Sequence, residues 1–136
     1  MIFPYAILGW TSIGLAVIAS SPYWLRMLNN LTFKTKDKRF FSLLKFLRKI
    51  HKPLGLLLAV IAIIHGYLAL NGNIRLHTGL LVYISFFLTA VLGGIHYRLK
   101  NKTIFKFHKT MVLVSFLLLI LHLAFPWALG QLFGLY

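Results

Sequence analysis

Six histidines carry the side-chain chemistry that stands out in this 136-residue chain: His51, His65, His77, His96, His108 and His122. Four of them fall into two pairs with one spacing. His51-Lys52 opens one apolar stretch and His65 follows fourteen residues later; His108-Lys109 opens another and His122 follows fourteen residues after His108. Overlaid, the two segments also match Leu56 with Leu113 and Ile63 with Ile120. At about 100° per residue, fourteen residues leave roughly 320° of net turn, so the histidines of one segment share a helix face about 21 Å apart along the axis. Neutral imidazole is a good ligand for haem iron, and facing helices of a bundle can hold a flat macrocycle between them. Cysteine is absent, which removes disulfides, iron–sulfur clusters, zinc ribbons and thioether attachment of haem. Asp37 is the single acidic residue, so carboxylate acid–base pairs and calcium or magnesium sites have no ligands here.

The elements that must position these histidines are apolar. Hydrophobic residues make up 60% of the chain and charged residues 12%, against roughly 45–50% and about 25% in soluble domains. Four stretches, 5–25, 52–70, 78–97 and 110–130, approach the ~20 residues that a helix needs to cross a bilayer. They lack the alternation of barrel strands, and helices satisfy their own backbone in lipid. The expected fold is therefore an all-α integral membrane four-helix bundle forming a single domain over 1–136. Pro22 is expected to end or bend the first helix at Ser20-Ser21-Pro22.

Basic residues set the expected orientation. Of the fifteen, nine lie between Arg26 and Lys52, five between Arg98 and Lys109, and only Arg75 elsewhere. Under the positive-inside rule the two rich regions are cytoplasmic and both termini lie outside. Such loops account for the net charge of +14 without nucleic acid as a partner. Within 38–52, Phe40, Phe41, Leu43, Leu44 and Leu47 oppose Lys45, Arg48, Lys49 and Lys52 at helical spacing. The segment reads as an amphipathic helix on the inner leaflet or as an extension of the second span, and the two are compatible. No signal-peptide cleavage pattern is evident, so the first span is expected to stay attached. Gly9 and Gly14 have phosphate-loop spacing but lack the following Lys-Ser/Thr and lie within a span. No dinucleotide fingerprint occurs elsewhere.

The second and fourth spans run in the same direction. His51 and His108 then pair near the cytoplasmic side and His65 and His122 nearer the outer side, giving two sites for b-type haem, two haems per chain. His77 and His96 flank the third span at the depths of the outer and inner pairs. They read as hydrogen-bond donors to haem propionates or substitute ligands, or else as interface anchors. Arg75 reads as a propionate partner of the outer haem or an ordinary loop residue. Gly55, Gly66, Gly79, Gly93 and Gly94 leave room for the macrocycle or simply pack helices.

On these residues the chain resembles the ferric-reductase-like transmembrane family, which includes ferric reductases, NADPH oxidases and the haem subunit of bacterial methionine-sulfoxide reduction. Gly9-Trp10 through Ser20-Ser21-Pro22 resembles an early helix of that family. The segment 48–65 resembles its first haem helix, and Phe107-His108-Lys109 through Leu121-His122 its second. The resemblance implies that His51, His65, His108 and His122 are axial ligands to the haem iron, with no catalytic residue as such. It implies an electron-transfer component of an oxidoreductase that passes electrons across the membrane through stacked haems. Family members typically have about six spans, whereas four are expected here. A flavin and nicotinamide domain, which many members carry, is not found in this sequence. The donor is therefore expected to be a quinol, a flavin or a flavoprotein or reductase partner. The alternatives are a haem-bearing anchor subunit of a reductase and a small histidine-based metal-ion carrier. Membrane lipid is the expected surroundings, a bacterial cytoplasmic membrane the expected location, and a homodimer one admissible assembly.

Overall fold

A computed structural model describes residues 4–73 and 75–134. All its regular elements are helical: α1 (Pro4–Leu28), a π-helical turn (Asn29–Phe33), α2 (Lys38–Ala69), α3 (Thr78–Leu99), α4 (Lys102–Ala124) and a short α5 (Ala128–Leu132). No strand occurs among the described residues. Four helices are long and apolar enough to cross a membrane, the first counted through the π-turn. The chain divides into two compact units, Met1–Ile61 and Ala62–Tyr136, with the boundary inside α2.

In the first unit, Pro4 opens α1 at a position where no intrahelical N–H is needed. Pro22 lies inside the helix without ending it. Lacking an N–H, it leaves the Ile18 carbonyl without its helical donor, and the Ser21 hydroxyl donates to that carbonyl at 2.6 Å. Thr11 and Ser12 likewise donate back to Ile7 and Leu8, so their hydroxyls need no water. The π-turn closes on Lys34, whose φ of 47° is left-handed. Buried Asn29 spans the turn, its Oδ1 accepting from Thr35 N at 2.9 Å and its Nδ2 donating to Thr35 O. The single acid, Asp37, caps α2: its Oδ1 accepts from Arg39 N at 2.8 Å.

α2 is continuous for 32 residues, about 48 Å at 1.5 Å per residue, well beyond a hydrocarbon core of roughly 30 Å. The basic 38–52 segment and the apolar span are thus one helix, running through Pro53. This extends the second span expected over 52–70 toward the N-terminus.

In the second unit, Asn71 and Gly72, with φ of 49° and 76°, reverse the chain after α2. α3 and α4 are joined by two residues. Lys100 closes α3 with φ 53° and its N–H on His96 O, and Asn101 Oδ1 caps α4 by accepting from Thr103 and Ile104 N–H. So short a link makes the two helices antiparallel neighbours. Small and hydroxylated residues are buried along the pair: Thr78, Val82, Ser85 and Thr89 on α3, and Ser115 on α4. Thr89 Oγ1 and Ser115 Oγ lie 3.3 Å apart. Thr89 donates to Ser85 O and Ser115 to Met111 O, both at 2.8 Å. Small side chains let backbones approach where lipid gives no hydrophobic drive between helices. Leucine, isoleucine and phenylalanine meanwhile face outward on every long helix, the reverse of a water-soluble distribution.

The fourth span differs from its expected 110–130. α4 begins earlier because Asn101 caps it and ends at Ala124 because Pro126 disfavours helical backbone at Phe125 (φ −140°, ψ 71°). Residues beyond the turn form the separate α5.

Ser115 is fully buried between the paired helices, so Ser115→Leu should lose about 1–3 kcal/mol of stability through overpacking. Ser115→Ala, which removes one hydroxyl contact, should lose about 0.6 kcal/mol. Denaturant unfolding in detergent, followed by circular dichroism, measures both; equal losses would show that close approach does not limit the pair.

Candidate functional site

The six histidines are all half-buried, none fully enclosed and none fully exposed. What separates His51, His77, His96, His108 and His122 is the partner of Nδ1, because that contact decides which ring nitrogen keeps a lone pair.

His51 on α2 places Nδ1 2.7 Å from the carbonyl oxygen of Ala19 on α1. A carbonyl can only accept, so Nδ1 carries the hydrogen and the neutral ring keeps its lone pair on Nε2. Ala19 lies in the turn before Pro22. His108 on α4 repeats the arrangement, with Nδ1 2.8 Å from Thr89 O on α3. Gly93, one turn beyond Thr89, makes room for that ring. A Cβ there would sit 3.1 Å from His108 Cε1 and 3.2 Å from Nδ1.

His122, in the last turn of α4, reaches a hydroxyl. Thr78 Oγ1 lies 3.0 Å from His122 Nδ1 and 2.8 Å from Pro126 O. With the hydroxyl hydrogen on the closer carbonyl, Thr78 accepts from His122 Nδ1–H. Nε2 again keeps the lone pair. Gly79 opens the space, since a Cβ there would lie 3.0 Å from His122 Cε1 and 2.7 Å from His77 Cε1. His96 also directs Nδ1 to a carbonyl, Asn101 O at 2.9 Å, and stacks on Phe105 with centroids 4.6 Å apart.

His77 is the opposite tautomer. It is the N-cap of α3, and its Nδ1 accepts from Leu80 N–H at 3.1 Å. The neutral ring therefore carries its hydrogen on Nε2, which suits donation to an anion and not ligation. For neutral His96 the reverse holds, since its Nε2 can only accept. His77 stacks against His122 with centroids 6.1 Å apart and meets Trp127 edge-on. His65, near the end of α2, lies within electrostatic range of both His77 and His122. Arg75 lines a shallow cleft with Asn71, Asn73 and Trp127 at the same end of this unit.

Gly79 and Gly93 thus make room for imidazole rings themselves, whereas Gly55, Gly66 and Gly94 have open space where a Cβ would stand. Ala19, Thr78 and Thr89 escaped the sequence reading: a backbone acceptor leaves no compositional mark, and a threonine facing another helix looks like any other. No three histidine or acidic side chains converge as a metal-ion site among the described residues. Haem asks less of the protein, two axial nitrogens at most, and a lone pair on Nε2 with Nδ1–H held by an oxygen is the form that ligates iron. His51, His108 and His122 fit that requirement. No family model matches the chain, and no match was found among curated proteins or among solved structures.

Burial, with repulsion from His65 adding to it, holds the His77 imidazole below the ordinary histidine value of about 6.5. The folded chain therefore favours neutral His77 while the unfolded chain protonates it more readily. The associated stability is fully present above about pH 6.5 and is lost as pH falls below it. Protonation would also remove the acceptor that caps α3. His77→Asn keeps a cap that does not titrate, so thermal unfolding of the haem-free chain should lose less stability between pH 8 and pH 5 than wild type does. An unchanged pH dependence would remove His77 as a contributor.

Proposed function

We propose that this multi-pass membrane protein is a b-type di-haem cytochrome that relays electrons between the two faces of the membrane. One observation carries the reading: His51, His108 and His122, which the repeated spacing singles out, each bind an oxygen through Nδ1 and keep the lone pair on Nε2. The repeat assigns His51 with His108 to one haem and His65 with His122 to the other. When bound, each haem supplies a one-electron Fe(III)/Fe(II) couple. The chain's own part is to hold the imidazoles. Acceptors on Nδ1–H orient the rings and raise the basicity of Nε2, and the apolar helices keep water from the ligands. His77, with a hydrogen on Nε2, is the donor suited to a propionate, and Arg75 is a cation at that end of the second unit.

The basic region ahead of the second span and that following the third lie on the cytoplasmic side in this reading, with both termini outside. The electron donor is a membrane quinol, a free flavin or a flavoprotein. The resemblance to the ferric-reductase-like family agrees with the histidine pattern and leaves the acceptor open.

Two experiments test this. Protein purified in detergent should contain about two non-covalent haem b per chain, with bis-imidazole spectra. Acid–acetone extraction followed by pyridine haemochrome assay measures it, and a colourless protein, or haem that stays with the polypeptide, overturns the reading. For orientation, Lys36→Cys and Lys102→Cys should react with an impermeant maleimide only after cells are opened, and Asn73→Cys in intact cells. The reverse labelling would invert the topology and exchange the inner and outer haems.

A further inference from the structure

Thr78 is only 1% exposed and sits where three elements meet: the first turn of α3, the last turn of α4 and the turn before α5. Its Oγ1 is 2.8 Å from Pro126 O, 3.4 Å from Phe125 O and 3.0 Å from His122 Nδ1. Its backbone N–H also points to Pro126 O at 3.4 Å. The hydroxyl has one hydrogen, and both carbonyls can only accept it. With the hydrogen on the closer carbonyl, that of Pro126 at 2.8 Å, a lone pair faces His122 and Thr78 accepts from Nδ1–H.

We propose that Thr78 is the positioning residue of His122: its hydroxyl, committed by the Pro126 carbonyl, imposes the Nδ1–H tautomer and presents Nε2 as the ligating nitrogen. The proposal rests on the haem-ligand reading of His122 for its purpose and on the hydrogen-bond geometry for its content. Neutral histidine without a directing partner prefers the Nε2–H form, in which the ligating position is blocked. At His51 and His108 a backbone carbonyl does the directing, and no side-chain substitution can remove that acceptor. At His122 the acceptor is a side chain, so of these three rings it is the one that a single substitution can switch. Gly79 completes the arrangement by leaving space for the ring beside Thr78.

Thr78→Val keeps the shape of the side chain and deletes the hydroxyl, whereas Thr78→Ser keeps the hydroxyl and drops the methyl. Two readouts are taken on the full chain in detergent, with helix content checked by circular dichroism. The first is the ¹⁵N spectrum of histidine side chains in the haem-free chain at pH 8, with His122 assigned by its loss in His122→Ala. Wild type and Thr78→Ser should show Nδ1–H at His122, and Thr78→Val should shift toward Nε2–H while His51 and His108 stay unchanged. The second is haem retention, which Thr78→Val should weaken by about 10- to 100-fold at one site only, with Thr78→Ser near wild type. An Nδ1–H tautomer at His122 in Thr78→Val, or its loss in Thr78→Ser, overturns the proposal. A chain with the expected tautomers that binds no haem supports the assignment of Thr78 and overturns the cytochrome reading instead.

Discussion

A polar group inside a membrane has no water to turn to, and that constraint orders this protein. Helices settle the backbone, but side chains must find partners too. Among the described residues, every buried side-chain nitrogen and oxygen has one. Serine and threonine hydroxyls mostly turn back onto carbonyls of their own helix, as at Thr11, Ser21, Ser85 and Ser115. Imidazole cannot do this as easily. His51, His108 and His122 reach across to another helix, each by Nδ1, and each leaves the same nitrogen with its lone pair. Satisfying one nitrogen thus prepares the other.

Those contacts require a neighbouring backbone to be within reach, and the chain reaches that in two ways. In the first unit Pro22 interrupts the ladder of α1, the Ser21 hydroxyl takes over for the missing donor, and the Ala19 carbonyl in the same stretch meets His51. In the second unit small residues bring α3 and α4 together, and Gly79 and Gly93 remove the Cβ that would collide with an imidazole. Both devices place an acceptor at the depth of a histidine. They differ in sturdiness: a main-chain carbonyl serves His51 and His108, and a single threonine hydroxyl serves His122.

His77 shows the same constraint with the opposite outcome. At the mouth of α3 the unsatisfied groups are N–H donors, not carbonyls. A histidine there becomes an acceptor through Nδ1 and keeps its hydrogen on Nε2. Its position at a helix start therefore sets its chemistry apart from that of His122, although the two rings are stacked. A histidine in the last turn of a helix and one at the start of its neighbour are chemically complementary, one offering a lone pair and the other a proton.

The sequence by itself marked the all-helical character and four runs long and apolar enough to cross a membrane, because 60% apolar composition and their length suit a bilayer. It also marked the histidines, since a fourteen-residue repeat survives in one dimension. Helix ends were less legible: the cap by Asn101 and the stop before Pro126 shifted α4, and one uninterrupted helix absorbed the basic 38–52 segment into the second span. Only the tertiary structure decided which nitrogen of His51, His108 and His122 holds a hydrogen. That choice belongs to an acceptor 19 residues away from His108, 32 from His51 and 44 from His122 in sequence. No local pattern can encode a partner that folding alone brings within 3.0 Å.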